Sequence, residues 1–303
     1  MNVPAHGTPL RMAILSQDPT LYSTRRLKEA ALAAGHDVRL VDYLRCCLVV
    51  KSGKPEITYQ GVTLGGLNAV IARVGASYTG FGATVVRQFE AMGVYTANRS
   101  DAILSARDKL RSLQVLSQAG IGMPLTGHAH ANMDHAELMR MVGGAPMVIK
   151  LVEGTQGIGV VLADTDSAAK SVIEAFRGLD ADFLVQEFIK ESSGQDLRCF
   201  VVGGKVVAAM LRKASGDEFR ANIHRGASAE TATLTAEETR TAIESARALG
   251  LDIAGVDMLR SKRGPLVIEV NASPGLEGIE KTTGVDVAGE IIKWVTAKAL
   301  RSR

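Results

Sequence analysis

The chain has 303 residues, of which 46% are hydrophobic, 22% charged and 4% aromatic, and its formal net charge is +3. A chain of this size can bury a large core and is expected to form two or three domains. The mild charge and the few aromatic side chains argue against a nucleic-acid-binding surface, so no direct nucleic-acid partner is expected. No apolar run approaches the roughly 20 residues of a membrane span, so no membrane association is expected either.

The three cysteines, Cys46, Cys47 and Cys199, lack the paired spacing of a zinc site or a redox motif. Free thiols without a disulfide framework suit a reducing compartment, and the cytoplasm is the predicted location. Residues 1–11 contain no apolar stretch typical of a signal peptide. They are predicted to form a short disordered extension.

Strands and helices alternate over the first part of the chain. The predicted strands cover residues 12–16, 38–41 and 69–74. The predicted helices cover residues 21–34 and 82–92, and a glycine, Gly35 or Gly93, directly follows each of them. Alternation of this kind indicates a parallel, doubly wound sheet. We predict a first domain of residues 12–105.

The remainder reads as mixed α/β. Helical periodicity covers residues 101–119, and two strands at 196–212 flank a Gly203-Gly204 hairpin turn. The other predicted strands are 147–152, 160–163, 183–189, 253–259 and 265–271, and the other helices are 165–176, 235–249 and 286–300, the last after a glycine-rich loop. We divide this part into domains 106–190 and 191–303.

Three oxygen-bearing side chains interrupt the two late strands. Asp257 lies within an apolar run, and Glu269 and Asn271 end the next run. Residues two apart in a strand point to the same face, so Glu269 and Asn271 are expected to point out together. Carboxylate and amide oxygens suit Mg²⁺ or Mn²⁺ held partly by substrate phosphates. The alternative is one buried salt bridge and an Asn that caps a turn.

A glycine loop, Glu153-Gly-Thr-Gln-Gly-Ile-Gly159, follows a strand that carries Lys150. Its backbone N–H groups could approach phosphate oxygens, although an ordinary hairpin has the same composition. It matches neither a P-loop nor a dinucleotide fingerprint. Lys150 either extends to water or meets an anion, and Lys109 either faces this region or is a plain surface lysine.

A set of cations and amides occupies residues 198–225. Such side chains could bind carboxylate and phosphate oxygens in pairs, or they could belong to a solvated loop. Its members are Arg198, Arg212, Arg220, Asn222, His224 and Arg225.

Together these residues resemble the ATP-grasp superfamily, and more narrowly the RimK-type glutamate ligases. The resemblance covers nearly the whole chain after residue 11. It rests on the runs Ala106-Arg-Asp-Lys-Leu-Arg-Ser, Lys150-Leu-Val-Glu-Gly-Thr-Gln-Gly-Ile-Gly-Val-Val-Leu, Val185-Gln-Glu-Phe-Ile-Lys, Asp196-Leu-Arg-Cys-Phe-Val-Val-Gly and Glu269-Val-Asn-Ala-Ser-Pro-Gly-Leu-Glu-Gly. One departure is Ala227 in His224-Arg-Gly-Ala, where the family usually has glycine, which adopts more backbone conformations.

The resemblance implies a pre-ATP-grasp domain followed by a two-part ATP-grasp domain that clamps ATP. Its implied residue roles are as follows. For the nucleotide, Lys109 and Lys150 would hold ATP phosphates, Glu187 and Phe188 would meet the adenine through backbone groups, and Asp196 would lie near the ribose or amino-acid end. Arg220, Ala221 and Asn222 would border the triphosphate, and Arg212, Arg220 and Arg225 would hold reacting oxygens. Asp257, Glu269 and Asn271 would ligate two Mg²⁺ or Mn²⁺ ions.

The implied reaction joins the amine of L-glutamate to a carboxylate through an acyl phosphate, releasing ADP and phosphate. The implied acceptor is the C-terminus of the sixth small-subunit ribosomal protein, with free poly-α-glutamate as a further product, and a homo-oligomer is expected. Two alternatives remain at this point. One is an ATP-grasp ligase with a small-molecule acceptor, and the other is a non-catalytic nucleotide-binding module.

Overall fold

The computed structural model describes residues 8–129, 134–152, 159–192, 194–215, 219 and 227–301. Within these residues the helices are α1 (Tyr22–Ala33), α2 (Thr79–Ala91), α3 (Ser100–Arg107), α4 (Lys109–Gln118), α5 (His135–Met141), α6 (Asp166–Gly178), α7 (Ala236–Ala248), α8 (Glu277–Thr283) and α9 (Val287–Arg301). None of these helices is long and apolar enough to cross a bilayer.

Strands of four sheets accompany them. They are β1 (Arg11–Leu15), β2 (Asp37–Val41), β3 (Cys46–Val49), β4 (Glu56–Tyr59), β5 (Val62–Thr63), β6 (Ala69–Ala72), β7 (Tyr95–Ala97), β8 (Thr126–Gly127), β9 (Met147–Leu151), β10 (Val160–Ala163), β11 (Phe183–Glu187), β12 (Gln195–Val202), β13 (Lys205–Lys213), β14 (Ser228–Thr231), β15 (Ile253–Ser261) and β16 (Gly264–Asn271). The mixed α/β class is confirmed.

The first sheet is parallel, with the strand order β2-β1-β6-β7. Alternate residues of β1 explain why it carries helices on both faces. Met12 and Ile14 belong to the core that includes α1 and α9, whereas Ala13 and Leu15 belong to the core that includes α2. The sheet is therefore doubly wound, as its apolar runs predict.

A small antiparallel sheet, β3-β4-β5, is an addition that the sequence did not indicate. Its strands have only two to four residues and mix apolar with polar side chains. The amide of Gln88 on α2 fixes it by donating to the carbonyls of Val49 (3.0 Å) and Glu56 (3.1 Å). Packing on a helix supplies the stability that such short strands lack by themselves.

Two antiparallel sheets follow, with the orders β10-β9-β11-β8 and β14-β13-β12-β15-β16. The first packs on α5 and α6. The second is covered on one face by α4 and α7, and part of its other face shares a core with the parallel sheet and α9. Phe200 of β12 and Ile14 of β1 lie in that shared core. The N-terminal and C-terminal thirds are therefore packed together directly.

Three predicted elements need correction. The helix predicted over 101–119 is split at Asp108, whose backbone is extended and whose carboxylate caps α4 by accepting from the Arg111 N–H at 2.9 Å. The strand predicted over 183–189 ends at Glu187, where its partner β9 begins at Met147. The predicted glycine-rich loop before α9 contains helix α8.

The predicted hairpin is confirmed, with Gly203 and Gly204 between β12 and β13, both at positive φ. Elements β7, β8, α5 and β14 had no counterpart in the prediction. Of the predicted extension, residues 1–7 lie outside the described residues, whereas Leu10 is buried and Arg11 begins β1. The domain limits 12–105, 106–190 and 191–303 stay a prediction.

Candidate active site

One face of the five-stranded sheet gathers the candidate metal ligands. Asp257 on β15 lies directly opposite Glu269 on β16, and Asn271 lies opposite Gly255, two residues along both strands. Opposed residues of an antiparallel pair point to the same face. The register shifts after Asp257, between its pair with Glu269 and the next pair of Met258 with Val267. This bulge, which the sequence does not show, brings the two carboxylates into register.

Two arginines share the buried carboxylate at this face. Arg198 lies opposite Asp257 on the next strand, and its Nε and Nη2 (2.6 Å) donate to the two oxygens of Asp257. Arg212 donates to both oxygens of Asp196 (2.6 and 2.8 Å) and also reaches Asp257 at 3.0 Å. All four groups are buried or nearly so. The alternative of a buried salt bridge at Asp257 is thus part of the arrangement.

Burial and ion pairing act in opposite directions on these carboxyls. Burial raises the pKa of Asp257, but Arg198 and Arg212 outweigh it and hold this pKa below its usual range. Burial also raises the pKa of Asp196, where Arg212 opposes it and the charge of Asp257 reinforces it, and the balance leaves that pKa near 6. Asp257 therefore stays ionised at neutral pH.

The donor set fits a hard divalent cation bound together with a phosphate. Glu269 is exposed, and the side-chain nitrogen of Asn271 is buried and has no hydrogen-bond partner among the described residues. Buried polar groups are rarely left unpaired, so this amide is expected to meet a bound group. Within the described ranges no three His, Cys, Asp or Glu side chains converge. Two carboxylates and one amide leave coordination positions that phosphate oxygens and water can fill.

Lys150 lies on β9 beside this face. Its Nζ donates to Oε1 of Gln186 (2.6 Å), whose amide donates in turn to Thr126 (2.8 Å). Burial lowers the pKa of Lys150 to about 8, Glu269 raises it and Lys109 lowers it further. Lys150 therefore does not extend freely to water. An ammonium group held by one amide oxygen has further N–H donors for an anion such as a phosphate.

Lys109 begins α4, directly after the cap Asp108. Its Nζ donates to the carbonyls of Leu151 (3.0 Å) and Val152 (2.8 Å), at the end of β9. This places Lys109 against the strand that leads into the glycine loop. It is not a plain surface lysine, because both carbonyls belong to a segment more than 40 residues away.

Glu187 and Phe188, the residues predicted to meet adenine, lie at the C-terminal end of β11. The backbone N–H of Glu187 donates to the carbonyl of Leu125 (2.9 Å), and its carboxylate accepts from the Leu125 N–H (2.7 Å) and from Arg263. Phe188 lies just beyond β11 rather than within it. The backbone N–H of Glu187 is thus already used, and only its carbonyl and the groups of Phe188 remain candidates for adenine.

Several predicted residues lie outside the described residues. They are Arg220, Ala221, Asn222, His224 and Arg225, together with residues 153–158 of the glycine loop. Arg212 is described, and its guanidinium is bound by Asp196 and Asp257. Its predicted catalytic role, like the roles assigned to the other site residues, stays a prediction.

Sequence reasoning missed two residues that hold the site. The amide of Asn98 donates to the carbonyls of Ile253 (2.7 Å) and Ala272 (2.8 Å) and accepts from the Ile253 N–H (2.9 Å). Arg73 donates to the carbonyl of Pro274 at 2.8 Å. Both contacts join segments more than 150 residues apart, so no local pattern could indicate them.

Known proteins share both parts of this architecture. Residues 10–103 match the model of the RimK pre-ATP-grasp domain, and residues 106–295 match that of the RimK-like ATP-grasp domain. The chain belongs to the RimK family of ATP-grasp ligases. As a member of the RimK family it is an ATP-dependent ligase that forms an amide bond.

Individual relatives agree with this assignment. A Picosynechococcus sp. protein named "Probable alpha-L-glutamate ligase" is 61% identical over 290 residues, which are 96% of each chain. A RimK domain ATP-grasp protein from Sphaerobacter thermophilus has a TM-score of 0.71 and 26% identity, covering 94% of this chain and 99% of that one. The ATP-grasp ligase PsnB, complexed with a precursor variant, Mg and ADP, has a TM-score of 0.74 and 20% identity, covering 96% and 99%.

The three thiols of this RimK-family chain are free. Cys46 and Cys199 are buried and Cys47 is exposed. Burial raises the pKa of Cys46 to about 11 and that of Cys199 to about 12, so neither is a reactive thiolate. Neither buried cysteine is therefore a candidate nucleophile.

Proposed function

We propose that the chain is an α-L-glutamate ligase that joins the amine of free L-glutamate to a carboxylate of a peptide. The acceptor we propose is the C-terminal glutamate of the sixth small-subunit ribosomal protein, extended by a short α-linked tail. Free poly-α-glutamate is a second product in this proposal. The name of the 61% identical relative supports glutamate as the amino acid, and the resemblance of the sequence runs supports the acceptor.

The observation that carries the proposal is the polar sheet face. Asp257, Glu269 and Asn271 share it with Arg198, and Lys150 lies close enough for the charge of Glu269 to affect its pKa. We propose that the first three hold two Mg²⁺ or Mn²⁺ ions and that Lys109 and Lys150 hold ATP phosphates. Mg and ADP accompany the structurally similar PsnB. The metal ions, when bound, supply neutralisation of phosphate charge.

Two transfers make up the proposed reaction. A carboxylate oxygen of the acceptor attacks the γ-phosphorus of ATP, the bond to the β-phosphate breaks, and ADP leaves. The amine of glutamate then attacks the carbonyl carbon of the acyl phosphate, loses its proton, and expels phosphate. No side-chain nucleophile is needed, because the chain has only to position the reactants and stabilise charge. We assign the positioning of reacting oxygens to Arg212, Arg220 and Arg225.

The network around Asp257 has a supporting part in this scheme. Arg198 and Arg212 keep Asp257 ionised although it is buried, and Asp196 holds the guanidinium of Arg212 in place. An ionised carboxylate is the form that ligates a divalent cation. The ion pairs thus maintain the charge that the proposed metal site requires.

ADP release tests the proposal. Purified protein with ATP and Mg²⁺ is supplied with L-glutamate, other amino acids, and peptides that end in glutamate. Release that needs L-glutamate and increases when the peptide is added supports the glutamate ligase with a peptide acceptor. Release with glutamate and a small-molecule acceptor instead would replace the peptide acceptor, and ATP binding without release under any combination would favour a non-catalytic module.

A further inference from the structure

Arg73 occupies the point where the strand order of the parallel sheet reverses. From β1 the chain passes through α1 to β2 on one side, and from β6 it passes through α2 to β7 on the other. Open parallel sheets bind ligands in the crevice outside the carboxyl ends of the strands at such a point. Arg73 directly follows β6, and its N–H donates to the carbonyl of Leu15 at the end of β1 (2.9 Å).

The guanidinium of Arg73 has most of its hydrogen-bonding capacity unused. Its Nη1 donates to the carbonyl of Pro274, and throughout the described ranges the side chain forms no other hydrogen bond and no ion pair. An arginine carries five N–H donors in a planar fork. The side chain is partly buried, and burial lowers its pKa to about 10 with no carboxylate to oppose the shift. A partly buried guanidinium group of this kind is stabilised when an anion pairs with it.

The segment that reaches Arg73 is the one that follows the candidate metal ligands. Pro274 is three residues after Asn271, and the hydroxyl of Ser273 donates to the carbonyl of Ala72 (3.2 Å) at the end of β6. Asn98 holds Ala272 of the same segment. The crevice of the parallel sheet and the polar face of the five-stranded sheet are therefore joined through four consecutive residues.

We propose that Arg73 binds a carboxylate of an amino-acid or peptide substrate and positions that substrate for the ligation. The planar fork matches a carboxylate with two parallel hydrogen bonds. The inference rests on the proposed function and adds to it a recognition residue from the N-terminal sheet. Two sources of the carboxylate have the same chemistry, the free glutamate and the acceptor peptide.

Kinetics of Arg73→Met with matched substrates test the inference. The assay compares L-glutamate with its α-carboxamide and its side-chain carboxamide, and a glutamate-ending peptide with the same peptide ending in glutamine, which keeps the α-carboxylate that reacts. We expect Arg73→Met to raise the KM of one carboxylate substrate roughly 10- to 100-fold, as loss of a hydrogen-bonded charge contact does, with the KM of ATP unchanged. The variant should also lose the wild-type preference for that carboxylate over its carboxamide.

Two further variants control for folding and for general charge. Arg45→Met removes an exposed arginine of the same region and should leave every KM unchanged. Arg73→Lys keeps the charge but loses the fork, and it carries the same comparison if Arg73→Met unfolds. Thermal unfolding of each variant shows whether the fold is retained.

The KM values show which substrate Arg73 binds, and ADP release by the wild type tests the ligase activity separately. A KM effect confined to glutamate assigns Arg73 to the amine donor, and one confined to the peptide assigns it to the acceptor. Unchanged selectivity in the Arg73 variants, or a parallel rise of all KM values including that of ATP, would overturn the inference and leave the glutamate ligase standing. Wild-type protein that releases no ADP with glutamate would remove the proposed function, and the inference with it.

Discussion

The two opposed carboxylates of the polar face differ in what else they do. Glu269 is exposed and, among the described residues, forms no ion pair, whereas Asp257 is buried between two arginines. We expect Glu269→Gln to lower kcat roughly 10²- to 10³-fold, because it removes one charge-stabilising group. The unfolding free energy should change by less than about 0.5 kcal/mol, since the site is at the surface. ADP release and urea unfolding on the same preparation measure both.

Asp257→Asn should behave differently from Glu269→Gln. It leaves the buried guanidinium groups of Arg198 and Arg212 without their shared anion, which typically costs about 3–5 kcal/mol. Urea unfolding is expected to show this loss along with the loss of ADP release. Equal stability of Asp257→Asn and the wild type would contradict the ion-pair network described for this face.

If Lys150 binds a phosphate of ATP, its charge should make the Kd of ATP dependent on pH. Its pKa is lowered to about 8, so the fraction of charged Lys150 falls roughly tenfold between pH 7 and pH 9 in the free protein. If the ammonium binds phosphate, the Kd of ATP should rise roughly tenfold over that range. Arg stays charged, so Lys150→Arg should show a much flatter profile. Equal profiles for wild type and Lys150→Arg would refute this role.

At the scale of elements, Asn98 connects β7 to β15 and to the segment after β16. Asn98→Ala leaves the N–H and the carbonyl of Ile253 and the carbonyl of Ala272 without partners. Each buried unsatisfied group costs about 1–3 kcal/mol, so we expect a loss above about 2 kcal/mol in urea unfolding. Asn68→Ala is the control, because its bond to the Arg11 N–H is exposed and water can replace it. A similar loss in both variants would contradict the assigned role.

The elements that the sequence predicted are those whose apolar pattern is decided locally. Strands β10 and β16 and helix α7 appear within one residue of their predicted limits, because apolar runs and the Thr235 capping box define them. Helix α8 could not be predicted in this way. It contains Gly278 and two threonines, and its burial comes from Ile279 and Glu280 packing against distant parts of the chain.

The candidate site also combines features that the local sequence pattern predicts with features that depend on distant segments. Strand alternation placed Glu269 and Asn271 on one face, and the structure shows them there. The opposition of Asp257 and Glu269 depends on a bulge, and the contacts of Arg73 and Asn98 depend on segments more than 150 residues away. Sequence periodicity contains neither kind of information, so these features required the three-dimensional structure.

At the scale of the whole molecule, Glu280 links the N-terminal and C-terminal regions. It is buried, and it accepts from the Tyr22 hydroxyl (2.9 Å), from Arg26 Nε (3.2 Å) and from the Ala288 N–H (2.9 Å). Glu280→Ala should cost about 2–3 kcal/mol, since hydrogen bonds to charged groups are lost. Thermal or urea unfolding checks this. Glu277→Ala, at an exposed ion pair on the same helix, should change stability by less than about 1 kcal/mol.

We propose that this RimK-family ligase adds glutamate to a peptide carboxylate, and mass spectrometry of its products measures that addition. Small-subunit ribosomal proteins would be incubated with purified enzyme, ATP, Mg²⁺ and L-glutamate, with Glu269→Gln enzyme as the matched control. We expect a ladder on one protein, spaced by single glutamate residues, absent without ATP and strongly reduced with Glu269→Gln. Unmodified proteins throughout, together with no glutamate-dependent ADP release, would contradict it.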